Sequence, residues 1–202
     1  MISVNILLFC LAVALLELDT TYAFQLTFSR GIVAGPLLSL LTGDLMAGLQ
    51  IGIFTELIFA DTNPLGGVLP PSAVICCAVS LLLHSMNIPL SVAFFFGVLA
   101  AIAFSYAECW ARKTRSRRLP VWERTIRRNP AFVTRLIGLS LLNTFLTSLL
   151  FFIVLATVCA CLASWLLPYL SDRALIACNF AFIAVPWIGM TGLIASFRLK
   201  TK

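Results

Sequence analysis

Residues 29–71 read SRGIVAGPLLSLLTGDLMAGLQIGIFTELIFADTNPLGGVLPP, an apolar sequence in which charged and turn residues recur. The charged residues are Arg30, Asp44, Glu56 and Asp61. A charge at the centre of a membrane helix costs about 2.5 to 3.5 kcal/mol on insertion scales, so such residues usually face a partner or a wet cavity. The stretch therefore predicts membrane helices that border a pathway for a polar substrate.

The composition of the whole chain indicates a polytopic membrane protein. Of its 202 residues, 61% are hydrophobic and 11% are charged, whereas a soluble domain has about 25% charged residues. The mean hydropathy is +1.04. We expect a single membrane domain over 1–202. Its N-terminal half, 1–109, carries the motifs, 110–130 is a basic loop, and 131–202 holds the C-terminal spans.

The apolar segments of the N-terminal half are short. A full span needs about 20 apolar residues, but segments 31–43 and 45–60 are shorter and contain glycines. Interrupted segments of this kind favour broken helices or re-entrant hairpins, which border substrate sites in transporters. Close small-residue packing, as between Gly48 and Gly52 and a neighbouring helix, is the alternative, and the two can coexist. The predicted fold is an all-α integral membrane protein, a polytopic helix bundle with short broken or re-entrant helices in its N-terminal half.

The first apolar segment, 2–16, can be interpreted as a cleavable signal peptide or as a membrane helix. A signal peptide begins with a basic region, and no Lys or Arg precedes this segment. Glu17 and Asp19 follow it directly, which also disfavours a signal peptide. We therefore expect a retained, short membrane helix.

A basic segment, 112–128, predicts the orientation of the chain. It carries eight Lys or Arg residues and one acidic residue, Glu123. The positive-inside rule places such a loop in the cytoplasm, and the basic tail 198–202 is expected on the same side. The loop can also contact membrane lipid headgroups or an acidic partner. Nucleic acid is not an expected partner, because the basic run is short and lies between spans.

A series of polar and turn motifs occupies the first 75 or so residues in a fixed order. The series is Leu18-Asp19, Gln25, Ser29-Arg30, Gly43-Asp44, Gly48-Leu49-Gln50-Ile51-Gly52, Glu56-Leu57, Pro64-Leu65-Gly66-Gly67 and Pro70-Pro71. In this order and spacing the chain resembles the IIC subunit of mannose/fructose/sorbose-type phosphotransferase-system sugar transporters. The remainder agrees only in hydropathy. The chain departs from the usual family pattern at Gly31 (usually Pro), Asp61 (usually Gly) and Ser72 (usually Asp).

The resemblance implies a function. The chain would be a sugar-translocating IIC subunit of a phosphoenolpyruvate-dependent phosphotransferase system in the bacterial cytoplasmic (inner) membrane, moving a hexose inward for phosphorylation by a IIB subunit. It implies a IID-like membrane subunit, IIA and IIB phosphocarriers and an oligomer as partners. It implies no catalytic residue, cofactor or metal in this chain. A degenerate relative that acts as a membrane scaffold, or carries another small polar solute, is the alternative.

The chemistry of a hexose suggests which residues bind it. Sugar hydroxyls pair with carboxylates, amides and guanidinium groups beside an apolar platform. The candidate ligands are Glu56, Asp19, Gln25, Arg30 and Asn63. Two alternatives stay open: Glu56 can be an ion-pair partner of Arg30, and Asp44 is expected to be a helix N-cap rather than a ligand. A non-helical turn near the site is predicted from Pro64, Gly66, Gly67, Pro70 and Pro71.

Catalysis within this chain is not expected. His84 is its single histidine and is interpreted as a polar residue at a helix end rather than a phosphorylation site. The metalloprotease and serine-hydrolase motifs, HExxH and GxSxG, are missing. The seven cysteines include no CxxC pair, so neither a disulfide framework nor a metal site is predicted.

Overall fold

A computed structural model describes residues 2–21, 26–60, 70–117, 122 and 132–200. These residues form helices and turns and contain no strand, so the all-α prediction is confirmed. The part of the chain that is described contains seven α-helices: α1 Ile2–Thr21, α2 Gly31–Thr42, α3 Leu45–Phe59, α4 Ala73–Ser85, α5 Leu90–Ser116, α6 Phe132–Leu166 and α7 Asp172–Lys200. A 3₁₀ turn, Leu167–Tyr169, follows α6.

The bundle contains both long and short helices. Three segments in the described part of the chain are long and apolar enough to cross a membrane: Leu90–Ser116, Val133–Tyr169 and Asp172–Ile194. Helices α2, α3 and α4 have 12, 15 and 13 residues, about 18 to 23 Å at 1.5 Å per residue. A hydrocarbon core is about 30 Å thick. The prediction of short helices in the N-terminal half is therefore confirmed.

The two ends of the bundle are marked by different charged residues. At one end, Glu56 near the end of α3 contacts the start of α2, and Glu17 of α1 contacts Ser72 at the start of α4. We call this the Glu56 end. At the other end, Asp44 before α3 lies 3.3 Å from His84 in the last turn of α4. We call this the Asp44 end.

Glycines bring α2 and α3 into backbone contact. A Cβ atom added to Gly31 would lie 2.9 Å from the Gly52 carbonyl oxygen, and one added to Gly35 would lie 2.8 Å from the Gly52 Cα. Neither position has room for a side chain. The close small-residue packing that the sequence left open is therefore present, between helices that are also short. Gly43, with φ of +88°, ends α2 in the left-handed conformation that glycine adopts most easily.

Helix α4 forms the centre of the bundle. Nine of its 13 residues are buried, which is expected for a helix that is apolar on all sides. On its flank, Phe54 of α3, Phe94 of α5 and Phe182 of α7 form an aromatic cluster with ring centroids 4.7 to 6.2 Å apart. This cluster joins α7 to the N-terminal helices. The two halves of the chain thus share one core.

Candidate functional site at the Glu56 end

The carboxylate of Glu56 accepts two hydrogen bonds from the start of α2. Its Oε1 accepts from Arg30 Nη1 at 3.0 Å, and its Oε2 accepts from the Gly31 backbone N–H at 2.9 Å. A carboxylate at a helix N-terminus is stabilised by the helix dipole. The ion pair with Arg30 that the sequence suggested is therefore present. The Glu56 side chain remains 27% exposed, and each carboxylate oxygen keeps a second acceptor position.

The carboxylate of Asp19 holds the segment that leads into α2. Its Oδ1 accepts from the Leu26 N–H at 2.8 Å and its Oδ2 from the Ser29 N–H at 3.2 Å. Asp19 is only 6% exposed. These two bonds fix the residues just before Arg30. Asp19 and Glu56 thus both hold the short segment that leads into α2, Asp19 at residues 26 and 29 and Glu56 at residues 30 and 31.

A second buried carboxylate, Glu17, lies one half-turn before Asp19 on α1. The Ser72 hydroxyl donates a hydrogen bond to Glu17 Oε1, and the Ser72 Oγ accepts one from the Ile75 N–H at 3.2 Å, which caps α4. Glu17 is 4% exposed. Glu17 is not among the site residues predicted from the sequence. The signal that can find it is a carboxylate in the last turns of an apolar helix that also carries Asp19.

Beside Glu17, a narrow cleft with polar and apolar walls opens between α1, α5 and α6. It has room for about one water molecule. On α5, Arg112 and Glu108 form an ion pair at 2.6 Å, and Arg115 donates from Nη1 to Thr144 Oγ1 at 2.6 Å. The polar lining residues are Glu17, Glu108, Arg115, Thr144, Thr147 and Ser148. The basic end of α5 therefore lies at the Glu56 end of the bundle.

Asp44 lies far from this group of carboxylates. It is the N-cap of α3, as the sequence predicted, and its Oδ1 accepts from the Ala47 N–H at 3.0 Å. That hydrogen bond, with the neighbouring His84, holds the pKa of the Asp44 carboxyl below its usual value. Asp44 precedes Glu56 by twelve positions, about 18 Å along the axis of α3. Asp44 is therefore not part of the same site.

One known protein family matches nearly the whole chain. The family model described as the PTS system sorbose-specific IIC component matches residues 3–195. The chain belongs to this family. No curated protein matches it significantly. The match extends the resemblance beyond the N-terminal motifs into the C-terminal helices, where hydropathy alone had agreed. This sorbose-type IIC protein is a membrane-embedded sugar-transport subunit of a phosphotransferase system.

The described part of this IIC subunit brings together three of its five predicted ligands. Glu56, Arg30 and Asp19 meet at the start of α2. Gln25 and Asn63 lie outside the described residues, as do Asp61, Pro64, Gly66 and Gly67. Pro70 and Pro71 lead directly into the cap residue Ser72. The predicted turn is thus described only where it joins α4.

Proposed function

We propose that this IIC subunit binds a hexose at the Glu56 end of the bundle and moves it inward for phosphorylation by a IIB subunit. The observation that carries the proposal is the Glu56 carboxylate. It is partly exposed, and its charge is balanced by Arg30 and the Gly31 N–H. Balanced charges at membrane depth are typical of substrate pathways.

The chemistry of the Glu56–Arg30 pair suits a neutral polyol. A carboxylate accepts from adjacent sugar hydroxyls, and a guanidinium donates to them. Arg30 is 64% exposed, so its remaining N–H groups are accessible. Asp19 contributes by fixing the 26–29 segment, since its two oxygens already accept backbone hydrogen bonds. Gln25 and Asn63 are proposed as the amide ligands of the same sugar.

Charge distribution supports an inward-facing position for this site. Arg112 and Arg115 lie at the end of α5, and Arg115 shares a cleft with Glu17. The positive-inside rule places this basic end, and the loop over 112–128, in the cytoplasm. The Glu56 end then faces the compartment in which IIA and IIB phosphocarriers act. The Asp44 end faces away from it.

The proposed assembly includes other proteins. The IIC family implies association with other phosphotransferase components, and we propose a IID-like membrane subunit as the membrane partner. Apolar residues on α6 and α7 are widely exposed, for example Leu150 at 62% and Ile183 at 62%. Such a surface fits lipid or another membrane helix. The chain functions, in this proposal, as one membrane domain over 1–202 within an oligomer.

Binding measurements on the reconstituted subunit test the proposal. The chain is purified with its IID-like partner, and binding of a panel of hexoses is measured by calorimetry. We expect Glu56→Gln to weaken binding and the matched variant Asp44→Asn, a carboxylate-to-amide change at the opposite end, to leave it unchanged. Wild-type protein that binds no hexose, with the partner present, would favour the scaffold alternative.

A further inference from the structure

Two carboxylates near the end of α1 reach two different segments that border the site. Asp19 holds residues just before α2, and Glu17 holds Ser72 at the start of α4. Both are buried, at 6% and 4% exposure. The proposed function uses Asp19 and gives Glu17 no role. A buried carboxylate is costly in the absence of hydrogen bonds, so its placement beside Ser72 needs an explanation.

The Ser72 hydroxyl takes part in two hydrogen bonds. Its Oγ accepts from the Ile75 N–H at 3.2 Å, and its one hydrogen is then donated to Glu17 Oε1. The Ser72 carbonyl accepts from Cys76 N at 3.1 Å. Ser72 therefore caps the first turn of α4, and its hydroxyl ties that turn to the end of α1. Pro70 and Pro71 directly precede this anchor, so their position depends on it.

We propose that Glu17 is a positioning residue for the sugar site, acting through Ser72. Its carboxylate holds the α4 end of the Pro70-Pro71 turn against α1, as Asp19 holds the segment before α2. This inference rests on the proposed function, since it assumes that the sugar binds between these segments. Glu17 makes no contact with the sugar in this arrangement.

The same geometry explains the residue at position 72. An aspartate here would place a second carboxyl group against Glu17, and two buried carboxyl groups cannot both be ionised without strong repulsion. The other charged groups that share the cleft with Glu17 are Glu108 and Arg115. A carboxyl group at position 72 therefore requires a neutral donor in place of Glu17, whereas Ser72 requires only an acceptor there.

The test compares Ser72→Asp with the double variant Ser72→Asp and Glu17→Gln. In the double variant the glutamine amide donates to the new carboxylate. The hydrogen bond between positions 17 and 72 then forms again, with donor and acceptor exchanged. In the complex with its membrane and phosphocarrier partners, we expect Ser72→Asp to raise the KM for hexose uptake about tenfold, the loss of one hydrogen bond. The maximal rate per molecule should change little, and the double variant should recover most of the KM.

Two single variants and one exchange measurement complete the test. Glu17→Gln keeps an acceptor for Ser72 and should retain the wild-type KM, whereas Glu17→Leu removes the acceptor and should raise KM. Amide hydrogen exchange at Ile75 and Cys76 should accelerate in Glu17→Leu and Ser72→Asp and return to wild-type rates in the double variant. This measurement needs no sugar, so it reports the anchor even where a variant transports poorly.

The outcomes separate this inference from the function on which it rests. Wild-type protein that binds no hexose contradicts the proposed function. Wild-type KM in Glu17→Leu, or a double variant no better than Ser72→Asp, overturns the positioning role of Glu17. Accelerated exchange at Ile75 with unchanged KM also overturns it, because the anchor would then serve stability alone.

Discussion

The Gly31 backbone N–H donates to Glu56 Oε2 at 2.9 Å, so a side chain of α3 caps the N-terminus of α2. The residue at the N-cap position, Arg30, makes no side-chain cap of its own. A proline at position 31 would have no N–H to donate. In this chain the glycine therefore adds a hydrogen bond to Glu56 and permits the close approach of Gly52.

Replacing Gly31 tests this bond. Both Gly31→Ala and Gly31→Pro add a Cβ that meets the Gly52 carbonyl oxygen, but only proline removes the N–H. Proline is otherwise acceptable at the first position of a helix. We expect Gly31→Pro to be less stable than Gly31→Ala by about 1.5 to 3 kcal/mol, the value of a hydrogen bond to a charged group. Equal thermal denaturation midpoints for the two variants would show that the bond contributes nothing.

Glu56→Gln separates the structural and ligand roles of Glu56. The change keeps one acceptor oxygen and removes the charge, so a ligand role predicts weaker hexose binding by about 1.5 to 3 kcal/mol. If Glu56 were only the partner of Arg30, Glu56→Gln with Arg30→Gln would restore full stability. Because Gly31 also donates to Glu56, we expect only partial restoration. Unchanged sugar binding in the single variant, measured by calorimetry, would remove Glu56 from the ligands.

The glycine contact between α2 and α3 should be sensitive to one methyl group. In Gly35→Ala the new Cβ would lie 2.8 Å from the Gly52 Cα, and overpacking of this kind costs about 1 to 3 kcal/mol. Gly192→Ala on α7 is the matched control, since nothing lies within 4 Å of its added Cβ. Thermal unfolding in detergent should show a loss of stability for Gly35→Ala and no loss for Gly192→Ala. Similar losses in both would indicate a general intolerance of alanine.

Asp44 should stabilise α3 as a cap. Asp44→Ala is expected to cost about 1 kcal/mol, and Asp44→Asn, which also caps well, much less. The Ala47 hydrogen bond lowers the pKa of Asp44. Its ionised form therefore adds stability above about pH 4, and this is lost as the pH falls through the folded-state pKa. The unfolding free energies of wild type and Asp44→Asn, measured at pH 3 and 7, check this. The difference in unfolding free energy between the two proteins should be smaller at pH 3.

Reporter fusions test the orientation of the bundle. Helix α5 ends in basic residues at the Glu56 end, so reporters after Arg118 and Lys202 should give a cytoplasmic signal. The turn at Asn87 lies at the Asp44 end, next to His84, and a fusion there should report the opposite side. An extracytoplasmic signal at Arg118 or Lys202 would contradict the proposed orientation of the site.

Local sequence patterns were sufficient to predict much of the fold and part of the site. The Gly43-Asp44 pair was enough to predict where α3 begins, because the cap acts on residues only three positions away. Short, glycine-containing apolar segments predicted short helices. The contact of Glu56 with Arg30 spans 26 residues and could be offered only as one of two alternatives. The contact of Glu17 with Ser72 spans 55 residues, and no local pattern indicates which residues meet across that distance.

The backbone contact between α2 and α3 also limits how the protein can move. Ordinary packed helices slide over a layer of side chains that change rotamer, but Gly31, Gly35 and Gly52 leave no such layer. Sliding by even part of a turn would drive these backbones into neighbouring side chains. The pair must therefore travel as one rigid body. Any rearrangement along the proposed sugar pathway therefore moves α2 and α3 together and not one against the other.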